Sequence, residues 1–315
     1  MIILSFPLSC ARVRAELPIS IETRACGEQI VRSTIHLDVQ DRCVSDRLFR
    51  SAKLTPARIF ISERDWRGGL DYATAAASVV RLAGHLVAYG LNADRPLVIL
   101  SRNSIQHALL TLAALHAGIP FCALPSHLYL KPNRAALAKV AQTLTPGLIY
   151  FDKEAAEILA GGIELYPDAA VLTSVTADYL ASIEPHETAV EDQNARIGPS
   201  TIAKFLLTSG TTGEPKLVIQ THGMMLANQA MLSHAFPFLG REPPILVDWL
   251  PWSHAFGSNH NFGLALYHGG SFHIDGGSPI PTGIEQTLAN LRDVSPTVYF
   301  NVAVRFRSPA SSSPK

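Results

Sequence analysis

A loop of small polar residues, TSGTTGEP at 208–215, lies between an apolar run and Lys216. Backbone N–H groups and hydroxyls in such a loop can converge on an anion, and glycines let the backbone approach a ligand closely. Lys216 would add a point charge for a phosphate. Pro215 fixes its own φ and favours an extended Glu214, which would aim the lysine. The loop therefore predicts phosphate binding, while its composition alone is equally consistent with a solvated Ser/Thr turn between strands.

The spacing within this loop differs from two common nucleotide-binding motifs. Gly210 and Gly213 are three residues apart, and Glu214 and Pro215 precede Lys216, so the loop matches neither GxxxxGK[ST] nor GxGxxG. A phosphotransferase of the P-loop type is therefore disfavoured.

Two ordered strings carry a resemblance to a known family. The string TSGTTGEPK (208–216) closely resembles the phosphate-loop signature of the adenylate-forming acyl-CoA synthetases and ligases. The string LPWSHAFG (250–257) resembles the LPxxHxxG segment of that family, and residues 95–130 resemble its first α/β region. The resemblance covers roughly residues 48–302, and LPWSHAFGSNHNFGLALYHGG (250–270) is most similar to the feruloyl-CoA synthetase branch.

The resemblance implies an enzyme that activates a carboxylic acid in two steps. The carboxylate attacks the α-phosphate of ATP, giving an acyl-adenylate and pyrophosphate, and the thiol of coenzyme A then displaces AMP. Mg²⁺ would neutralise the phosphates. The small-molecule partners would be ATP, coenzyme A and an aryl acid of the ferulate or cinnamate type. The residues that the resemblance assigns to the β- and γ-phosphates are Thr208, Ser209, Gly210, Thr211, Thr212, Gly213 and Lys216.

The resemblance also assigns the catalytic candidate, His254. This residue matches the family histidine beside the acyl-adenylate, where it would donate to the carboxylate or phosphate as charge develops. The alternative is a core histidine with a satisfied hydrogen bond. Trp252 and Phe256 flank His254 and are candidate walls of the acyl pocket, or else core aromatics.

The next residues, SNHNFG, add His260 and Asn261 to the predicted substrate pocket. An aryl acid with ring hydroxyls would find hydrogen-bond donors there, although helix capping by Ser258 or Asn259 would explain part of this polarity. The remaining histidines are widely spread, and no HExxH or similar spacing occurs, so the sequence predicts no metal held by protein side chains.

The C-terminal end differs from the family pattern. The resemblance runs through PTVYFNV (296–302) and is lost at the Ser/Pro-rich end of the chain. The family segments for adenine, ribose and the lid lysine would follow that point, so a C-terminal lid domain is expected to be absent and the chain truncated. The alternative function is a non-catalytic nucleotide- or acyl-binding remnant.

The segments that must position these motifs alternate between helix and strand patterns. Apolar residues recur at three and four over 71–89, with Asp71 as the cap and Gly90 at the end, and Ser104 opens a second helix. Short apolar runs such as LVIL, IPFCAL and GLIYF are typical of buried strands. The alternation predicts an α/β fold of two α/β units with largely parallel sheets.

This interpretation divides the chain into five segments. They are an N-terminal arm (1–47), a first unit (48–175), a polar linker (176–200), a second unit with the phosphate loop (201–302) and a disordered tail (303–315). The strands predicted in the second unit include LVIQ, ILVDW, SFHI and TVYFNV.

Composition narrows the function classes. The 26 basic and 26 acidic residues balance, and no basic stripe stands out, so nucleic-acid binding has no electrostatic support. Four scattered cysteines without a CxxC pair suit a reducing cytoplasm. Residues 103–130 carry no Asp, Glu, Lys or Arg, but their histidines, glycine and prolines favour a buried helix and strand over a membrane span.

Overall fold

The computed structural model describes residues 19–37, 39–63, 68–129, 134–159, 168–184, 186–209, 215–278 and 283–302. It divides the chain into two compact units, 1–38 and 39–315. The smaller unit contains the antiparallel hairpin of β1 (Ile19–Thr23) and β2 (Gln29–Ser33). The predicted arm at 1–47 therefore crosses the boundary, since Cys43 and Val44 are buried in the larger unit.

The larger unit contains the other ten strands and the helices of the described chain. The strands are β3 (Ile59–Ser62), β4 (Leu70–Asp71), β5 (Leu97–Leu100), β6 (Phe121–Ala123), β7 (Leu148–Phe151), β8 (Ala170–Leu172), β9 (Ile202–Ser209), β10 (Pro215–Thr221), β11 (Ile245–Asp248) and β12 (Ser271–Ile274). The helices are α1 (Asp46–Leu54), α2 (Tyr72–Ala88), α3 (Ile105–His116), α4 (Ser126–Tyr129), α5 (Arg134–Leu144), α6 (Lys153–Ile158), α7 (Ala177–Ser182), α8 (Glu187–Ala195), α9 (His222–Ala235), α10 (Gly263–Tyr267) and α11 (Ile284–Val294). A 3-10 turn (Pro237–Gly240) and a π-helical segment (Phe256–Phe262) complete the set.

A six-stranded sheet has the order β10-β9-β6-β5-β7-β8. Its strands run parallel except β10, which pairs antiparallel with β9. The runs LVIL, FCA and LIYF are buried on both faces, because α2 and α3 cover one face and the α5 side chains Leu137 and Val140 pack on the other. Both faces are thus covered, as parallel sheets require.

A four-stranded sheet has the order β11-β12-β3-β4, with β11, β12 and β3 parallel and β4 antiparallel. Phe60 and Phe272 of this sheet belong to the same apolar core as α2, α3 and the six-stranded sheet. The prediction of an α/β fold with largely parallel sheets is confirmed.

The predicted helix ends in the first half of the chain are confirmed. The Asp71 side chain accepts a hydrogen bond from the Thr74 N–H at the start of α2, and the Ser104 hydroxyl accepts one from the His107 N–H at the start of α3. Gly90, just after α2, has φ of +72°, a conformation that favours glycine at the end of a helix.

The strand order does not follow the predicted units. β9 and β10 complete the six-stranded sheet with strands from 48–175, while β3 and β4 pair with β12 from 201–302. The predicted linker at 176–200 contains α7 and α8, and α8 packs on α2 with Val190 buried. Local periodicity identifies strands but not their partners, which explains the difference.

The last predicted strand, TVYFNV, is also wrong. Val298 forms an isolated parallel bridge to Leu246, and no strand is assigned between residues 283 and 302. The predicted tail at 303–315 lies outside the described residues. Within the described ranges, no helix combines the length and apolar character that a membrane crossing needs.

Candidate functional site

A solvent-open cleft lies where loops from both sheets meet. Each loop that lines it follows the carboxyl end of a parallel strand: 101–103 after β5, 124–129 after β6, 249–253 after β11 and 275–277 after β12. Parallel α/β sheets bind ligands outside the carboxyl ends of their strands. The cleft is therefore the candidate site, and its aromatic lining residues are Tyr129, Trp249 and Trp252.

The predicted phosphate loop connects two antiparallel strands at the same edge of the six-stranded sheet. β9 runs parallel to β6, with Lys204 in register with Phe121, so the carboxyl end of β9 points the same way as that of β6. Thr208 pairs with Lys216 across β9 and β10, and the Thr208 hydroxyl donates to the Lys216 carbonyl at 3.3 Å. The candidates Gly210, Thr211, Thr212 and Gly213 lie outside the described residues, and so does the side chain of Ser209.

His254 lies in the turn after β11 with an exposed side chain, so its alternative interpretation as a core histidine is wrong. Its N–H donates to the Pro251 carbonyl at 3.1 Å. Its own carbonyl accepts from the Ser258 N–H at 3.1 Å and the Ser258 hydroxyl at 2.8 Å. The turn is compact at Gly257, where a Cβ would lie 2.5 Å from the Leu250 carbonyl oxygen, so only glycine fits there.

Asn103 joins this turn to the six-stranded sheet. Its side-chain amide donates to the Leu250 carbonyl at 2.8 Å, and its side-chain oxygen accepts from the Trp252 N–H at 3.0 Å. Because Asn103 lies in the loop after β5, that loop and the loop after β11 are held together by these two hydrogen bonds. The sequence analysis missed this residue, whose position after an apolar strand was the available signal.

The predicted acyl-pocket residues fall into two groups. Trp252 is buried, with ring centroids 4.8 Å from Phe262 and 5.1 Å from His107, so it belongs to the core and also lines the cleft. Phe256 and His260 form a ring cluster with Phe300, with centroid distances of 4.9 Å between Phe256 and His260 and 4.7 Å between His260 and Phe300.

Asn261 is buried, and its side-chain oxygen contacts the His260 ring nitrogen Nδ1 at 2.8 Å. Burial lowers the pKa of His260, while the hydrogen bond to Asn261 opposes this shift. Ser258 and Asn259 lie inside the π-helical segment, so their alternative interpretation as caps is wrong. Such π-helical segments are frequent at functional sites.

A buried carboxyl group, Asp248, ends β11 beside this segment. Its Oδ1 accepts from the Leu250 N–H at 3.1 Å, whereas Oδ2 has no hydrogen-bond partner. Burial raises the pKa of Asp248 to about 7, against the hydrogen bond from the Leu250 N–H. Asp275, at the end of β12, accepts from Thr287 at 2.6 Å and from Asn290 at 2.7 Å. The sequence analysis missed both acids.

A buried lysine, Lys204, was also missed. It is 1% exposed in β9, and its ammonium donates to the Ser258 hydroxyl at 2.7 Å. Burial lowers the pKa of Lys204 to about 7. A charged residue inside the apolar strand TIAKFLLT was the signal that could have identified it.

The ranges that the structure describes contain no cluster of three or more His, Cys, Asp or Glu side chains that could hold a metal ion. Thr208 on β9 and Lys216 on β10 are exposed, and their side-chain types and position are suited to binding a phosphate.

Comparison with known proteins establishes the family. Residues 48–312 match the AMP-binding enzyme family, and the chain belongs to it. It is 32% identical over 169 residues to a 4-coumarate–CoA ligase-like protein of Oryza sativa subsp. japonica, covering 53% of this chain and 26% of the relative. It is 37% identical over 158 residues to a salicylyl-CoA synthase / salicylate adenylyltransferase of a Streptomyces species, covering 45% of this chain and 28% of the relative.

A longer match links the chain to the 2-hydroxy-7-methoxy-5-methyl-1-naphthoate–CoA ligase of Streptomyces carzinostaticus. The two are 23% identical over 283 residues, which is 85% of this chain and 50% of that ligase. The chain therefore spans about a quarter to a half of the length of these three relatives.

Solved structures share the fold. The inhibitor-bound N-terminal domain of FACL13 from Mycobacterium tuberculosis has a TM-score of 0.63 at 19% identity, over 74% of this chain and 57% of that chain. The fatty acyl-adenylate ligase of L. pneumophila, in complex with acyl adenylate and pyrophosphate, has a TM-score of 0.62 at 19% identity, over 80% of this chain and 42% of that chain.

Proposed function

We propose that this chain carries the adenylate-forming site of an AMP-forming carboxylic acid–CoA ligase that acts on an aryl acid. The observation that carries the proposal is the convergence of four post-strand loops from both sheets on one cleft, in a member of the AMP-binding enzyme family. The carboxyl end of β9, which leads into TSGTTGEPK, lies at the same edge of the six-stranded sheet as two of those loops.

In this proposal ATP, coenzyme A and the acid are substrates. The residues of the TSGTTGEPK loop bind the β- and γ-phosphates. Lys216 supplies a positive charge, and the hydroxyls and backbone amides donate hydrogen bonds to the same phosphates. Mg²⁺ neutralises the phosphates when the nucleotide is bound. The acid carboxylate displaces pyrophosphate at the α-phosphate, and His254 donates a hydrogen bond to the charge that develops there. The thiol of coenzyme A then displaces AMP.

The aryl specificity rests on two observations. The cleft is lined by the aromatic side chains Tyr129, Trp249 and Trp252, which suit an aromatic ring. Three relatives are named for coumarate, salicylate and a substituted naphthoate, which are all aromatic acids. The finer proposal of a ferulate-type acid rests on the resemblance of residues 250–270 to the feruloyl-CoA synthetase branch.

Pyrophosphate release and ATP–pyrophosphate exchange with the chain test this function. We expect activity with ferulate, 4-coumarate or salicylate above that with a saturated fatty acid. Lys216→Ala should lower the exchange rate by roughly 10²-fold, the low end for a charged stabiliser, because neighbouring hydroxyls and Mg²⁺ share its charge. Lys53→Ala removes an exposed lysine of α1 and is the matched control.

Binding of a non-hydrolysable aryl sulfamoyl adenosine, measured by calorimetry, separates the alternatives. Binding without exchange would show that the chain is a non-catalytic nucleotide- or acyl-binding protein and not a ligase. Neither binding nor exchange with any acid would contradict both functions.

A further inference from the structure

Lys204 is a buried cation in the strand that leads to the phosphate loop. Burying an ammonium is costly unless hydrogen bonds replace its hydration. The titratable groups that act on it are the Cys122 thiol of β6 and the His107 ring of α3. The Phe121 ring lies 5.6 Å from Nζ. Lys204 donates its hydrogen bond to the Ser258 hydroxyl, so this contact is where the buried charge is stabilised.

The Ser258 hydroxyl that accepts from Lys204 also donates a hydrogen bond to His254. Lys204 Nζ lies 2.7 Å from Ser258 Oγ, and Ser258 Oγ lies 2.8 Å from the His254 carbonyl oxygen. An ammonium can only donate, so the Ser258 oxygen accepts from Lys204 and its single proton is available for the His254 carbonyl. The buried charge thus orients the Ser258 hydroxyl toward the backbone of His254.

A second contact supports the same attachment. Gln220 of β10 is in register with Lys204 of β9, and its side-chain oxygen accepts from the Asn259 amide at 2.7 Å. Adjacent residues of the π-helical segment, Ser258 and Asn259, are therefore bonded to paired residues of β9 and β10. The strand pair that carries Thr208 and Lys216 is therefore tied to the π-helical segment that directly follows the His254 turn.

We infer that Lys204 is a positioning residue for His254: through the Ser258 hydroxyl it holds the His254 turn against the strand that leads into the phosphate loop. The catalytic consequence rests on the proposed function, since it places the acid-activating histidine relative to the bound triphosphate. The structural consequence, a fixed His254 backbone, stands without it.

The protonation state of Lys204 supports this role. Its pKa is about 7, whereas burial raises the pKa of Cys122 to about 12 and lowers that of His107 to about 4, so both neighbours stay neutral near pH 7. Once Lys204 is neutral, its lone pair can accept the Ser258 proton, and the bond to His254 is released. Asp248 on β11 also has a pKa of about 7, and the rings of His260 in the π-helical segment and His254 in the preceding turn are nearby in the chain. The pH effect is therefore measured as a difference between variants.

The experiment compares Ser258→Ala, Ser258→Thr and Lys204→Met in the whole chain. Ser78→Ala is the matched control, because Ser78 is also buried and its hydroxyl also donates to the carbonyl four residues back, at 2.8 Å, in α2. Amide exchange at residue 254 and the ring resonances of His254 are measured by NMR for each variant, with thermal unfolding to verify folding.

We expect Ser258→Ala and Lys204→Met to shift the His254 resonances and speed amide exchange there, while Ser258→Thr and Ser78→Ala leave both unchanged. The acid-dependent turnover should fall by roughly 10–10²-fold, as for a small misplacement of a catalytic group, with ATP affinity changed less than about 2-fold. A step in turnover near pH 7 should disappear in Lys204→Met.

The two levels of inference fail separately. If wild-type chain shows no pyrophosphate exchange, the proposed function fails, and the NMR comparison still tests the positioning role. If Ser258→Ala leaves the His254 resonances and exchange as Ser78→Ala does, the positioning role is wrong whatever the activity. If Ser258→Ala and Lys204→Met lower ATP affinity by the same factor as they lower turnover, the positioning role is also wrong. The effect is then not specific to His254.

Discussion

The two sheets of the larger unit differ in what they bury. The central strands of the six-stranded sheet, LVIL, FCA and LIYF, bury apolar side chains, one cysteine and one tyrosine, whose hydroxyl donates to Gln106. The parallel strands of the four-stranded sheet bury polar side chains as well: Ser62, Asp248, Ser271 and His273. Buried polar groups are costly unless they are hydrogen-bonded, and the Ser62 hydroxyl lies 2.8 Å from the His273 ring nitrogen Nδ1.

This difference indicates that the six-stranded sheet is mainly a scaffold, whereas the four-stranded sheet holds polar groups suited to a functional site. The interior of the six-stranded sheet stabilises mainly by burial, and its buried cysteine and tyrosine stay neutral near pH 7 because burial raises the pKa of both. At the carboxyl edge of the four-stranded sheet, Asp248 Oδ2 and Asn261 Nδ2 are buried without a hydrogen-bond partner, and such groups call for an explanation beyond stability. Lys204 of β9 is the exception in the six-stranded sheet, and it contacts the same π-helical segment.

The largest effect should come from the apolar sheet. Ile99→Ala removes a fully buried side chain from β5 and should lower the free energy of unfolding by about 2–5 kcal/mol through lost burial and a cavity. Val171→Ala on β8, a strand of the same sheet at its edge, should cost only about 0.5 kcal/mol because Val171 is exposed. Urea unfolding at pH 5 and pH 8 measures both, and a cost at Ile99 that changes with pH would contradict the scaffold interpretation.

An intermediate effect should come from the buried charges, and its sign depends on pH. The folded-state pKa of Asp248 is raised from 3.8 to about 7, so its contribution to stability is fully present below pH 3.8 and is lost as the pH rises to about 7. Asp248→Asn should therefore gain stability relative to wild type across this window, by on the order of 3 kcal/mol.

Lys204 should behave in the opposite way. Its folded-state pKa is lowered from 10.5 to about 7, so its contribution is present above pH 10.5 and is lost as the pH falls through about 7. Relative to Lys204→Met, wild type should gain stability between pH 7 and pH 10. Urea unfolding at several pH values provides both curves, and parallel curves for wild type and either variant would show that the group does not titrate there.

The smallest effect on stability should come from the catalytic candidate. His254→Ala truncates an exposed side chain and should change the free energy of unfolding by less than about 0.5 kcal/mol. Under the proposed function, turnover of an aryl acid should nevertheless fall by roughly 10²-fold while ATP affinity is retained, because the ring would act at the developing charge. Unchanged turnover in a folded variant would remove His254 from the site, and His234→Ala on the exposed side of α9 is the control.

The sequence determined the local elements and the family. Apolar runs predicted β5, β6 and β7, and short-range hydrogen bonds at Asp71 and Ser104 set helix starts, because these features depend on residues within a few positions. The strings TSGTTGEPK and LPWSHAFG indicated the family, which the match over residues 48–312 confirms.

The pairing of strands into sheets, and the burial of particular polar residues together, depend on long-range contacts. β9 pairs with β6 and β3 with β12 through hydrogen bonds between segments far apart in the chain, and no local pattern specifies such partners. The bond from Lys204 to Ser258 joins residues 54 positions apart, so neither residue had a recognisable role in the linear sequence. Burial, which shifts the pKa values of Lys204 and Asp248 toward 7, arises only when both sheets pack around one core.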